Sequence, residues 1–259
     1  MRKWGQHFLN DKNILREIVA RAQLSYDTAV LEIGPGCGAL TRELVSHTKK
    51  ILAVEIDPVL CSRLRQSFKN YLKVLHKNIL DVQEKEINAV LGNRWRIVSN
   101  LPYYITSPIL QAIFAWHSWD WAVLTVQDEV ADRLVASVHT KAYGLLSILT
   151  QIYTRPEKLF GIPNDAFSPP PRVNSAVVKL TRREQPLILK SDLDPFFKLL
   201  KICFTKRRKM ILNSLAPGLH IDKHTAHDLL EQAGIDPRRR PETVTIDEFK
   251  QLHRLTLRT

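Results

Sequence analysis

The sequence predicts an α/β fold: a largely parallel sheet covered by helices on both faces, followed by a small all-helical domain. Three observations predict it. Short apolar runs alternate with helical patterns through the first two-thirds of the chain, the pattern of βαβ units. A glycine-rich turn, Gly34-Pro-Gly36-Cys-Gly38, follows the first run. From about residue 188 onward, strand-like runs stop and helical patterns remain.

The runs at 29–33, 50–56, 72–79, 96–99 and 121–127 read as strands, and 173–181, after the proline-rich Phe167-Ser-Pro-Pro-Pro, reads as a sixth. Helical patterns at 40–45 and 58–68 lie between them. Ser107-Pro108 reads as an N-cap with proline at the first helical position. The chain is expected to divide into domains at 1–187 and 188–259. The second would hold helices over 192–204, 206–215, 223–233 and 246–257, with Asp222 as an N-cap and Thr245 with Glu248 as a capping box.

Composition narrows the function. The chain has 259 residues, 44% of them hydrophobic, enough for a packed core. Its formal net charge is +12, which favours a polyanionic partner, either nucleic acid or an acidic membrane surface. Three cysteines without a CxxC pair argue against a disulfide framework or a zinc knuckle. They point to a reducing, cytoplasmic setting. The start, MRKWGQHFLNDKNILR, has no apolar core of a signal peptide, and no run approaches 18 apolar residues, so no membrane span is expected.

Gly34, Gly36 and Gly38 let the backbone approach a ligand closely and adopt positive φ. Glu55 ends the next strand, 19 residues after Gly36, where a carboxylate can accept the two ribose hydroxyls of a nucleoside. Together they indicate a nucleoside-bearing cofactor in a Rossmann-like site. They do not separate S-adenosylmethionine from NAD, since Gly34-x-Gly36-x-x-Ala39 also fits the loose dinucleotide pattern.

The segment Asn100-Leu-Pro-Tyr103 decides more. An exocyclic amine on a base is a poor nucleophile, because its lone pair is delocalised into the ring. Two acceptors aimed at its N–H bonds localise that lone pair toward an incoming methyl group. The Asn100 side-chain oxygen can be one, and a backbone carbonyl held by the rigid Leu101-Pro102 segment can be the other. Tyr103 supplies a flat face for a flipped-out base.

Asn100-Leu-Pro-Tyr103 resembles the N-x-P-Y signature of amino-directed S-adenosylmethionine methyltransferases. Gln6-His7-Phe8-Leu9, EIGPGCGALT (32–41), VEIDP (54–58), Phe167-x-Pro169-x-Pro171-x-Val173-x-Ser175 and CFTKRRKMILNSL (203–215) occur with it in order. The set resembles the small-subunit rRNA adenine N6,N6-dimethyltransferases of the KsgA type over nearly the whole chain. The resemblance implies that His7 and Leu9 close over the cofactor, that Gly34 and Gly36 sit beside it and that Glu55 holds its ribose. It places Asn100, with Pro102 and Tyr103, between cofactor and target amine, and makes Phe167 a second stacking face for the target adenine. The family usually carries Asp where this chain has Asn78; Asn78 would meet the cofactor adenine through its side-chain oxygen, with Asp81 as the alternative.

The basic stretch Lys206-Arg207-Arg208-Lys209 is assigned to RNA phosphates and Arg238–Arg240 more weakly. His220, His224 and His227 read as spare imidazoles of a surface helix rather than metal ligands. The expected protein is a monomer that dimethylates adjacent adenosines in a loop of 16S rRNA in the small subunit, without metal or membrane. Its rivals are an erythromycin-resistance-type 23S rRNA methyltransferase, a non-catalytic assembly factor and a nicotinamide-dependent oxidoreductase.

Overall fold

The computed structural model describes residues 7–257; Gln6, named above, lies outside them. In chain order the elements are β1 (Phe8–Leu9), α1 (Lys12–Arg21), β2 (Ala29–Ile33), α2 (Ala39–Leu44), β3 (Lys50–Glu55), α3 (Pro58–Phe68), β4 (Lys73–His76), α4 (Glu84–Leu91), β5 (Trp95–Asn100), α5 (Thr106–Ala115) and β6 (Trp119–Gln127). There follow α6 (Asp128–Val135), α7 (Leu145–Tyr153), β7 (Thr154–Ile162), β8 (Phe167–Ser168), β9 (Ser175–Arg182), α8 (Leu193–Phe204), α9 (Leu212–Leu219), α10 (Lys223–Gln232) and α11 (Ile246–Thr256).

Seven strands form one sheet in the order β4-β3-β2-β5-β6-β9-β7. Those from β4 to β6 pair in parallel, and β9 runs antiparallel to β6. All five residues of β2 are buried, as a central strand covered on both faces must be. The chain steps from β2 to β3 and β4 on one side and to β5 and β6 on the other. The gap between β2 and β5 is therefore a switch point, and open α/β sheets bind ligands outside the carboxyl ends of their strands there. Asp57 starts α3 by accepting from the backbone of Val59 and Leu60, with Pro58 at the first helical position. That fixes the turn just after Glu55.

The chain divides into two compact units, 1–131 with 155–182, and 132–154 with 183–259. The sequence placed the boundary at 187/188 and assigned 132–154 to the first domain. The apolar side chains of α7 explain the difference: Ile148 and Ile152 are buried in the cluster built around Phe196, Leu200, Leu215 and Phe249 of the helical unit.

The expected strands appear, and two local expectations are corrected. Ser107 is not the N-cap of α5: the helix starts at Thr106, so Ser107 and Pro108 fall inside its first turn. The helix expected over 206–215 begins only at Leu212, because 205–208 form a turn. In that turn Arg207 reaches across to Glu242 (3.1 Å) and to the carbonyl of Lys141. Asp222 caps α10, and Thr245 and Glu248 form the capping box of α11, as expected.

Candidate active site

A cavity of about 220 Å³ opens at the carboxyl ends of β2, β3 and β5. From the glycine turn it receives Gly34 and Gly36, both at positive φ (64° and 59°). From the N-terminal segment it receives His7 and Leu9, from the end of β3 Glu55, and from the turn after β4 Asn78. Asn100, Pro102 and Tyr103 complete it from β5 and the turn that follows. Chain topology thus gathers residues separated by up to 96 positions around one space.

The glycine turn is fixed by what touches it. A Cβ built on Gly36 would stand 2.7 Å from the ring of Phe8, so the N-terminal strand β1 lies directly on the turn. β1 is held in turn by antiparallel pairing with β8. The Gly36 N–H donates to Oε2 of Glu55 at 3.1 Å, and the N–H groups of Ile56 and Asp57 donate to Oε1 at 2.9 and 3.0 Å. Glu55 is 3% exposed. A carboxylate offers about four acceptor positions; three are taken, and the one left to a ligand is on Oε2. Both carboxylate oxygens are thus oriented by backbone N–H groups at the cavity wall, with Oε2 the less occupied of the two.

Asn100 brings the most informative atom. Its Oδ1 is buried and has no hydrogen-bond partner, an arrangement that costs free energy unless a ligand donates to it. The following segment is anchored: Leu101 N–H donates to the Thr125 carbonyl at 3.1 Å, and the Pro102 carbonyl accepts from the Thr106 hydroxyl at 3.1 Å.

Tyr103 is held on three sides. Its hydroxyl lies 2.5 Å from Oγ of Ser175. The ring of His7 stacks on it at 6.1 Å between centroids and 22° between planes, and Phe167 stands edge-on to it at 6.4 Å and 69°. Burial raises the Tyr103 phenol above its ordinary pKa. Phe167 departs from expectation: it is 3% exposed, packs in the core of the sheet unit and does not line the cavity. Its ring is crossed against Tyr103, so no base lies flat between the two in this arrangement.

Asn78 lines the cavity, whereas Asp81 is exposed and does not. Asn78 Oδ1 already accepts from Leu80 N–H at 3.1 Å, which leaves its second lone pair and its amide for a ligand. Glu32 and Tyr104 also line the cavity, and sequence patterning singled out neither. Glu32 had a signal: a carboxylate inside the apolar run 29–33. It is 1% exposed and accepts from the Thr41 hydroxyl at 2.7 Å. Burial, reinforced by the charge of Glu55, pushes its pKa up to about 8.

The basic stretch lies in the helical unit. Lys206, Arg208 and Lys209 are exposed, while Arg207 is half-buried and paired to Glu242. Arg239 is tied to Glu248, with Nη1 at 2.5 Å from Oε1, and Arg238 to Asp236. On α10, His227, Asp228 and Glu231 bring ligand-type atoms within 4.8 Å of one another, without His220 or His224. His224 instead pairs with Asp228 at 3.0 Å.

A sheet of this order, with its cavity at the switch point, defines the fold class as Rossmann-like, and the chain's similarity to known proteins makes it a methyltransferase. Within that class, the chain matches the family model for ribosomal RNA adenine dimethylase over residues 1–255, and it belongs to that family. It is 41% identical over 258 residues to ribosomal RNA small subunit methyltransferase A of Staphylococcus carnosus, covering 96% of this chain and 87% of that one. The Staphylococcus aureus (strain Newman) protein of the same name is 42% identical over 260 residues, with the same coverage. A dimethyladenosine transferase from Plasmodium falciparum superposes with a TM-score of 0.76 at 26% identity, covering 95% of this chain and 96% of that one. The 23S rRNA methyltransferase ErmE gives 0.71 at 27% identity, covering 96% and 98%.

Proposed function

We propose that the cavity binds S-adenosylmethionine and that the enzyme transfers methyl groups to N6 of adjacent adenosines in a loop of 16S rRNA in the small ribosomal subunit. The observation that carries this reading is the buried, partnerless Oδ1 of Asn100 at the end of β5. The residues present suit the cofactor: a glycine turn that admits close approach, buried carboxylates in Glu32 and Glu55 for its polar and cationic groups, and a nearby amide for its adenine.

When bound, S-adenosylmethionine supplies an electrophilic methyl group on a sulfonium. The chain's part is positioning and electrostatics. Glu55 would hold the cofactor's ribose through its carboxylate. Asn100 Oδ1 accepts one N6–H of the target base, and a carbonyl of the anchored Leu101-Pro102 segment accepts the other, which leaves the nitrogen lone pair directed at the methyl group. Tyr103 supports the base. The target is an unstacked adenine, because a base paired in an A-form helix cannot reach such a cavity. The exposed Lys206, Arg208 and Lys209 grip phosphates without reading sequence.

The 41–42% identity to proteins named for the small subunit, over 96% of this chain, supports 16S rRNA as the substrate. We read the protein as a cytoplasmic monomer; among the described residues no helix is long and apolar enough to cross a membrane. Asn100→Ala tests the site. Removing one positioned polar group at a reacting centre lowers turnover about 10²–10³-fold, with cofactor affinity little changed. Near-normal turnover in the variant would rule out the role assigned to Asn100.

A further inference from the structure

Loop 169–174, Pro-Pro-Pro-Arg-Val-Asn, joins β8 to β9 and is tied to the cavity at both ends. At one end the His7 imidazole donates to the Pro169 carbonyl at 2.7 Å; at the other, Tyr103 is bonded to Ser175. Both His7 and Tyr103 line the cavity. Between these ties the loop is locked from behind. Asn174 Oδ1 accepts from Asn164 N–H at 3.1 Å, Asn164 Nδ2 donates to the Pro171 carbonyl at 3.2 Å, and Asp128 N–H donates to the Asn174 carbonyl at 3.0 Å. Three successive prolines restrict φ, and Pro171 is buried. The segment is a stiff rim beside the cavity mouth.

What the rim presents is a cation and an apolar side chain. Arg172 is exposed, and Val173 is 47% exposed. Arg207, Arg238 and Arg239 each have a carboxylate partner; among the described residues none pairs with Arg172. A guanidinium on a rigid support pays little ordering cost when it meets a phosphate, and its forked donors suit that group. We propose that loop 169–174 is an RNA-docking rim in which Arg172 grips the backbone phosphate of the nucleotide flanking the target adenosine and Val173 packs on its sugar. Arg172 is then a positioning residue. It sets the register of the strand so that one base enters the cavity. The proposal rests on the reading of the cavity as an rRNA methyltransferase site.

The test is steady-state methyl transfer to undermethylated small ribosomal subunits by the full chain and by Arg172→Glu, Arg172→Ala and Arg172→Lys, with S-adenosylmethionine binding measured in parallel. Arg172→Glu should raise KM for the subunits roughly tenfold or more, the scale of one charge-assisted hydrogen bond. Its kcat and cofactor affinity should stay unchanged, since the ties of the loop do not use the Arg172 side chain. Arg172→Lys should recover most of the loss. Arg172→Ala should flatten the log–log salt dependence by about 0.7. An unchanged KM and salt slope, or a fall in kcat without a change in KM, would overturn the rim while leaving the cavity reading intact. Failure of the unsubstituted enzyme to methylate the subunits would remove the cavity reading and the rim with it.

Discussion

The imidazole of His7 lies stacked on the ring of Tyr103, 6.1 Å between centroids and 22° between planes. It covers one face of the Tyr103 ring. On the proposed role of Tyr103, a base taking that face would compete with the His7 stack. An aromatic pair of this kind is worth about 0.5–1.5 kcal/mol, so His7→Asn, which removes the ring but keeps a donor for the Pro169 carbonyl, should lower KM for small subunits by roughly 2–10-fold at saturating cofactor. His7→Trp, a larger competitor for the same face, should raise it. Equal KM values across the three proteins would show that His7 does not contest the Tyr103 face.

The raised pKa of Glu32 predicts that both stability and cofactor binding depend on pH. Its folded pKa is raised from 4.5 to about 8. Between those values the folded protein keeps a proton that the unfolded chain releases, so this group's contribution to stability falls as pH rises through that window and levels above it. A cationic ligand beside Glu32 favours the carboxylate. Binding of S-adenosylmethionine below about pH 8 should therefore release a proton, and affinity should rise with pH up to that point. Calorimetry in buffers of different ionisation enthalpy reads the proton directly, and Glu32→Gln should abolish it. Binding without proton release in the unsubstituted protein would contradict this.

Arg207 and its neighbours in 206–209 separate structure from recognition. Arg207→Glu would set a carboxylate against Glu242 and lose the tie to the Lys141 carbonyl. Thermal melting should show a destabilisation of about 1–3 kcal/mol. Charge reversal at Lys206, Arg208 and Lys209, all exposed, should leave the melt unchanged. It should weaken RNA association and flatten the salt slope by about 0.7 for each phosphate of a single strand that is no longer neutralised. The opposite pairing of effects would move phosphate binding to Arg207.

These residues also show where sequence was legible. Gly34, Gly36, Asp222 and the Thr245–Glu248 box could be read because local backbone chemistry dictates them. β2, β3, β5 and β6 could be read because strands inside a covered sheet carry apolar runs, and the edge strand β4 could be read from Val74 and Leu75 within its run. β7 was missed: it lies at the sheet edge, where Pro156 and charged residues are tolerated, so its pattern is weak. The pairing of Arg207, the burial of Phe167 and the attachment of α7 to the helical unit are tertiary facts. Each depends on a partner many positions away, and no local pattern encodes it.

Substrate choice is the most direct test of the proposed function. Undermethylated small subunits and large subunits should be offered separately, with labelled S-adenosylmethionine, and the modified nucleotides mapped. The expected result is N6,N6-dimethyladenosine at two adjacent positions in a loop of small-subunit rRNA and none in the large subunit. Label in the large subunit alone would contradict it and favour the resistance-type enzyme; no label in either would contradict the assignment as an rRNA methyltransferase.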